Sequence, residues 1–116
     1  MRHSTPPIAQ IKAELFRALA HPVRVRALEL LVQDERSVGE LATALDVDLS
    51  HLSQQLAVLR RADVVATRRD GNTIYYSVQN PAVQALLETA REMVVASLQN
   101  SSSLLASLGA GDESTE

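Results

Sequence analysis

The forty residues from Ser37 to Tyr76, SVGELATALDVDLSHLSQQLAVLRRADVVATRRDGNTIYY, most narrow what this chain can fold into. Val38, Leu41, Ala42 and Leu45 recur at helical spacing and form one inner face. Ser37 precedes them and Glu40 lies three residues on, which is a capping box. Asp46-Val47-Asp48 breaks that helix, and Asp48 is placed to cap another over about 49–62. Val-, Thr- and Tyr-rich runs from Val64 to Arg69 and from Thr73 to Val78 then flank Asp70-Gly71-Asn72, a hairpin turn pattern. Helix, tight turn, helix and basic hairpin in this order make a winged helix-turn-helix, a unit that reads DNA. The expected fold is mainly α with a small β-hairpin.

The flanks complete a single domain. Residues 1–7, with Ser4-Thr5-Pro6-Pro7, are expected to be a loose arm. Ile8, Ile11, Leu15 and Leu19 predict a first helix over 8–20, and Pro22 opens a second, where its missing N–H is harmless. Val25, Leu28, Leu31 and Val32 are its buried stripe, and Gln33-Asp34-Glu35-Arg36 is a polar connection. Asn80-Pro81 starts a long last helix with Val83, Leu86, Leu87, Ala90, Val94 and Leu98 on its apolar side. Leu104, Leu105 and Leu108 extend it by a turn or two before Gly109 ends it. The domain is thus expected over 8–108, with a disordered acidic tail over 109–116.

The helix after the turn carries the candidate binding residues. At about 100° per residue, Leu52, Leu56 and Leu59 fall within roughly 60° of one another and face the core. Ser50, Gln54, Ala57 and Arg61 lie opposite, His51 and Ser53 flank that outer face, and Gln55 sits nearer the core edge. Gln can pair bidentately with adenine, Ser can contact bases or phosphates, and a helix N-terminus attracts phosphate. An ordinary solvated face has the same composition; the preceding helix and the following hairpin decide between the two readings. At the hairpin, Arg68 and Arg69 lead into Asp70-Gly71-Asn72, and paired arginines there reach phosphates or a minor groove. Tyr75 and Tyr76 point to opposite sides, one of them into the core.

Other polar residues read as structural. Arg24 is expected in an ion pair, Glu40 being the candidate partner, and His21 as a helix-start residue satisfied by backbone. Glu88 and Glu92 stand four residues apart on the last helix without a histidine or third acid nearby in sequence. No phosphate loop, HExxH or nucleophile elbow occurs. The chain is therefore not expected to be an enzyme or to need a cofactor.

Composition supports this frame without proving it. Hydrophobic residues make up 46% but aromatics only 3%, so the core is aliphatic. The chain has no cysteine, which excludes disulfides, thiolate metal sites and thiol redox sensing. No apolar run approaches the roughly 18 residues of a membrane span, and the first residues lack an apolar signal region, so a cytoplasmic location is expected. The net charge is −3, and the three acids of the tail account for all of it. Arg60, Arg61, Arg68 and Arg69 cluster within ten residues, opposed by Asp63.

The runs FRALAHPVRVRALELL (16–31), SHLSQQLAVLRRADVV (50–65) and RRDGNTIYYSV (68–78) resemble the ArsR/SmtB family of bacterial winged helix-turn-helix regulators, over about residues 12–95. The resemblance implies a homodimer packed through the first and last helices, two recognition helices in successive major grooves of a near-palindromic operator, repression, and release by an inducer. It assigns DNA contacts to Ser50, His51, Ser53 and Gln54 and to the wing residues Arg68, Arg69 and Asn72; Gln55 and Arg61 of the same helix are further candidate contacts. The family's metal-binding positions are not matched. Val38-Gly39-Glu40-Leu41-Ala42 holds no cysteine, and the last helix holds no histidine. Gln55 stands where histidine is common, and Asp63 where glycine is common; Asp tolerates left-handed backbone. Two alternatives follow: a metal-responsive repressor using Glu88, Glu92 and His3 across the dimer, or a winged helix that has become a protein-interaction module. The operator and the inducer are not written in the sequence.

Overall fold

The structure, a computed structural model, describes the backbone of residues 7–115 and the side chains of residues 7–109. Residues 1–6 of the arm expected over 1–7, His3 included, and the side chains of the acidic tail beyond Gly109 lie outside the described residues. In order, the elements are α1 (Ile8–Leu19), α2 (Pro22–Leu31), β1 (Arg36–Ser37), α3 (Val38–Leu45), α4 (Leu49–Arg61), β2 (Ala66–Asp70), β3 (Thr73–Ser77) and α5 (Pro81–Thr115). The chain divides into two units, one ending at Val83 and one beginning at Gln84.

In the first unit the helix ends are set by local hydrogen bonds. His21 caps α2, its ring Nδ1 accepting the Val23 N–H at 3.1 Å, and Pro22 takes the first helical position. At α3 both halves of the capping box are made: the Ser37 hydroxyl accepts from the Glu40 N–H at 3.1 Å, and the Glu40 carboxylate accepts from the Ser37 N–H at 2.8 Å. Asp46 ends α3 in the left-handed conformation, φ 54°. Asp48 then caps α4, its carboxylate accepting from the His51 N–H at 3.3 Å. Asp63 turns the chain out of α4 at φ 60°, the geometry for which glycine would be usual.

The core of this unit is aliphatic. Leu28, Leu41, Leu52, Leu56 and Leu59 are fully buried, with Ala27, Leu31, Leu45, Val64 and Val65 around them. Burying one such leucine contributes about 1.5–3 kcal/mol. The three leucines of α4 therefore fix which side of that helix faces out.

Beyond the expected hairpin there is a third strand. β2 and β3 pair antiparallel with Arg68 opposite Tyr75 and Asp70 opposite Thr73, leaving the two-residue loop Gly71-Asn72. Gly71 alone in that loop has positive φ, 63°, as a II′ turn requires. On its other edge β3 pairs with β1, Arg36 opposite Tyr76 and Ser37 opposite Tyr75, giving the order β1-β3-β2. The polar connection before α3 thus ends as an edge strand, and Ser37 serves both the sheet and the α3 cap.

The predicted stripe of α1 is real but unburied: Ile8, Ile11 and Leu15 are exposed together with Phe16, and Ala18 is the buried residue. In the second unit, α5 likewise exposes Met93, Val94, Leu98, Leu104, Leu105 and Leu108. The helix was expected to end at Gly109, whereas the backbone continues as helix to Thr115. Gly109 does not take the left-handed conformation that would make it a stop, and one mid-helix glycine costs only about 1 kcal/mol. No described helix is long and apolar enough to cross a membrane.

Candidate nucleic-acid interface

Because Leu52, Leu56 and Leu59 are pinned inward, α4 turns Ser50, His51, Ser53, Gln54 and Arg61 outward, all of them exposed. Ala57, expected among them, is half-buried. The Ser50 hydroxyl donates to the Asp48 carboxylate, so its proton is engaged in the cap while its lone pairs stay open. That bond, followed by the His51 N–H, holds the Asp48 carboxyl below its usual pKa. The His51 ring leans on the His21 ring, centroids 5.9 Å apart and tilted by 55°, which ties the first turn of α4 to the cap of α2. Ser53 and Gln54 are the outward polar side chains of the middle of the helix.

Gln55 belongs to the inner edge. It is half-buried, and its carboxamide oxygen accepts from Arg24 Nε at 2.7 Å. Arg24 was expected to pair with Glu40; it donates to Gln55 and to the main chain of α1. Glu40 is occupied by the capping box, and Ser37 holds its carboxyl below the usual pKa, mainly through the backbone N–H. Arg26 likewise donates to the Leu45 carbonyl at the end of α3, at 3.4 Å.

The wing separates its two arginines. Arg68 lies on the Tyr75 side of the hairpin, its guanidinium 4.5 Å from that ring's centroid, and Glu35 grips it at 2.7 and 2.8 Å. This contact holds the Glu35 carboxyl below its usual pKa and raises that of Arg68. It is the one ion pair among the described residues. Arg69, opposite Ile74, is exposed on the other side of the strand, and Asn72 is exposed in the loop. Tyr75 and Tyr76 are both half-buried. Sequence reading missed Glu35 and the Arg24–Gln55 bond, since both partners lie more than thirty positions away.

Of the candidate metal residues, His3 lies outside the described residues. Glu88 accepts a hydrogen bond from Gln84 at 3.1 Å, and among the described residues no three acids or histidines converge.

Comparison with known proteins places this geometry in context. A family model described as bacterial regulatory protein, arsR family, matches residues 21–67, which span α2, α3, α4 and the start of the wing. The HTH-type transcriptional regulator Rv0081 of Mycobacterium tuberculosis is 49% identical over 110 residues, covering 94% of this chain and 96% of its own. Its crystal structure superimposes with a TM-score of 0.75 over 83% of this chain and 97% of that one, at 50% identity. A biofilm growth-associated repressor of Agrobacterium fabrum is 41% identical over 88 residues, 76% of this chain and 75% of its own. The solution structure of a homodimeric winged helix-turn-helix DNA-binding domain from Mycobacterium bovis, a possible ArsR-family regulator, matches with a TM-score of 0.69 at 30% identity, over 81% and 90% of the two chains.

Proposed function

The chain belongs to the arsR family of bacterial regulatory proteins, DNA-binding transcriptional regulators rather than enzymes, and from that premise we propose a homodimeric repressor that reads a near-palindromic operator. The observation that carries this reading is the outward face of α4. Ser50, His51, Ser53, Gln54 and Arg61 are exposed together on a helix whose opposite face is locked by three buried leucines. In this reading Gln54 and Ser53 contact base edges, Ser50 and His51 lie against bases and phosphates at the helix N-terminus, and Arg61 takes a backbone phosphate. Arg69 and Asn72 bring the wing to the DNA backbone, and Arg68 supports the wing from its other side.

The exposed apolar residues of α1 and of α5 support dimer packing through these two helices. Residues 8–108 form the working unit. A monomer that left so many large aliphatic side chains in water would be unusual, since contiguous exposed apolar surface marks an interface. The two-fold axis would present two α4 helices at half-sites one helical turn apart.

The test is selection of duplexes from a random-sequence pool by the purified full chain, followed by titration of the selected duplex and of random DNA at two salt concentrations. An inverted-repeat sequence bound roughly a hundredfold or more above random DNA, with salt-sensitive affinity and the mass of a dimer, is the expected result. Enrichment of no sequence would overturn DNA reading and leave a winged helix used for protein contact.

A further inference from the structure

We propose that Arg24 is a positioning residue that sets the pose of α4 on DNA by bolting it to the end of α1; this rests on α4 being the reading helix. Arg24 is the third residue of α2, yet its side chain leaves that helix in two directions. Nε donates to the Gln55 side-chain oxygen at 2.7 Å, in the middle of α4. Nη1 donates to the carbonyls of Arg17 at 3.2 Å and Ala18 at 3.1 Å, in the last turn of α1. The Ala18 carbonyl has Pro22, which carries no N–H, four residues on, and the Arg17 carbonyl also accepts from the Ala20 N–H at 3.2 Å; both carry the negative end of the helix dipole, so a guanidinium suits them.

The guanidinium is a rigid plane with donors at fixed angles. One group therefore fixes the end of α1, the start of α2 and the rotation of α4 together. Aliphatic packing of Leu52, Leu56 and Leu59 sets which side of α4 faces in, but such contacts are non-directional and tolerate small rotations. A hydrogen bond does not, because it weakens steeply off axis. Gln54 follows directly before Gln55, about 100° around the helix. Any roll of α4 that moves Gln54 against a base pair must strain the Arg24–Gln55 bond. Bidentate base recognition needs that angular control. The same bolt makes the reading helix answer to α1, whose exposed face is proposed to meet the second subunit.

The test uses the full chain with Arg24→Lys, Gln55→Met, their double variant and Gln55→Glu. Lysine keeps the charge but not the fork, methionine keeps the length but not the acceptor, and glutamate keeps an acceptor. The readouts are the preference for the selected duplex over random DNA, the salt slope, and the Arg24 Nε–H resonance by nitrogen-15 NMR. Each of the first two variants is expected to lose roughly tenfold in preference with an unchanged salt slope, and the double variant no more than one single. Gln55→Glu is expected to retain the preference, and Gln55→Met to shift the Arg24 Nε–H signal and the amides of α4. Additive losses would mean that Gln55 reads DNA by itself and would overturn the proposal, as would an unchanged preference in both singles. If Arg24→Lys fails to fold, the contrast between Gln55→Met and Gln55→Glu decides. A wild-type protein without sequence preference would refute DNA reading instead, and the Nε–H signal would still decide whether the bolt holds α4.

Discussion

Glu35 grips Arg68 at two points, with Oε1 accepting from Nη2 at 2.7 Å and Oε2 from Nε at 2.8 Å, while Tyr75 supports the guanidinium from below at 4.5 Å. Neighbouring arginines in one strand thereby stand in different surroundings. Arg68 is bound to its own protein, and Arg69 is presented to solvent on the opposite side. Arg69→Ala should weaken binding to all DNA alike and reduce the salt slope by about 1. Glu35→Ala should do the reverse, because it removes a negative charge and releases a guanidinium. Titrations of random duplex against salt check both, and a weaker Glu35→Ala complex would refute the division.

Gln54→Ala should cost about 1–3 kcal/mol on the selected duplex and almost nothing on random DNA, because Gln54 stands fully outward in the middle of α4. Competition between the two duplexes measures this difference. Equal losses on both would reassign Gln54 from bases to backbone.

Acid should release the helix-turn-helix from its caps. Asp48 is held below the usual carboxyl pKa by the Ser50 hydroxyl first and the His51 N–H second; Glu40 is lowered by the Ser37 N–H and Glu35 by Arg68. A carboxylate lowered in the folded state contributes stability that is complete above its unfolded pKa, about 4, and is lost as pH falls through the folded value. Melting temperature should thus be steady above that range and fall below it. Asp48→Asn keeps a capping acceptor that does not titrate, so its melting curve should depend less on pH than that of the wild type. An identical acid profile would remove the Asp48 cap from the account.

Asp63→Gly should stabilise the fold by up to about 1 kcal/mol, since Asp63 holds φ 60° where only glycine is unstrained. Thermal melts would show a rise of a few degrees. Operator binding should be unchanged, and a loss would mean that Asp63 itself meets the DNA.

The caps were legible because each is a bond between residues two or three apart: Ser37 with Glu40, Asp48 with His51, His21 with Val23. The hairpin was legible for the same reason, Asp70-Gly71-Asn72 being a turn whatever surrounds it. The inward leucines of α4 followed from helical period alone. What stayed hidden were β1, a strand of two residues that exists only because β3 lies beside it, and the true partners of Arg24 and Arg68. Gly109 misled because a glycine ends a helix only when the chain beyond it turns away.

The sequence by itself determined the order of the helices and the hairpin, the capped starts of α2, α3 and α4, and which face of α4 looks outward, since these rest on steric limits and hydrogen bonds within one or two turns of chain. Only the tertiary structure decided which of the candidate polar side chains take a partner within the protein. Arg68 and Gln55 have the same chemistry as Arg69 and Gln54, and sequence reading placed all four at the interface. Folding brings Glu35 within reach of the first and Arg24 within reach of the second, so Nε and Nη2 of Arg68 and the side-chain oxygen of Gln55 are engaged within the protein while Arg69 and Gln54 are not.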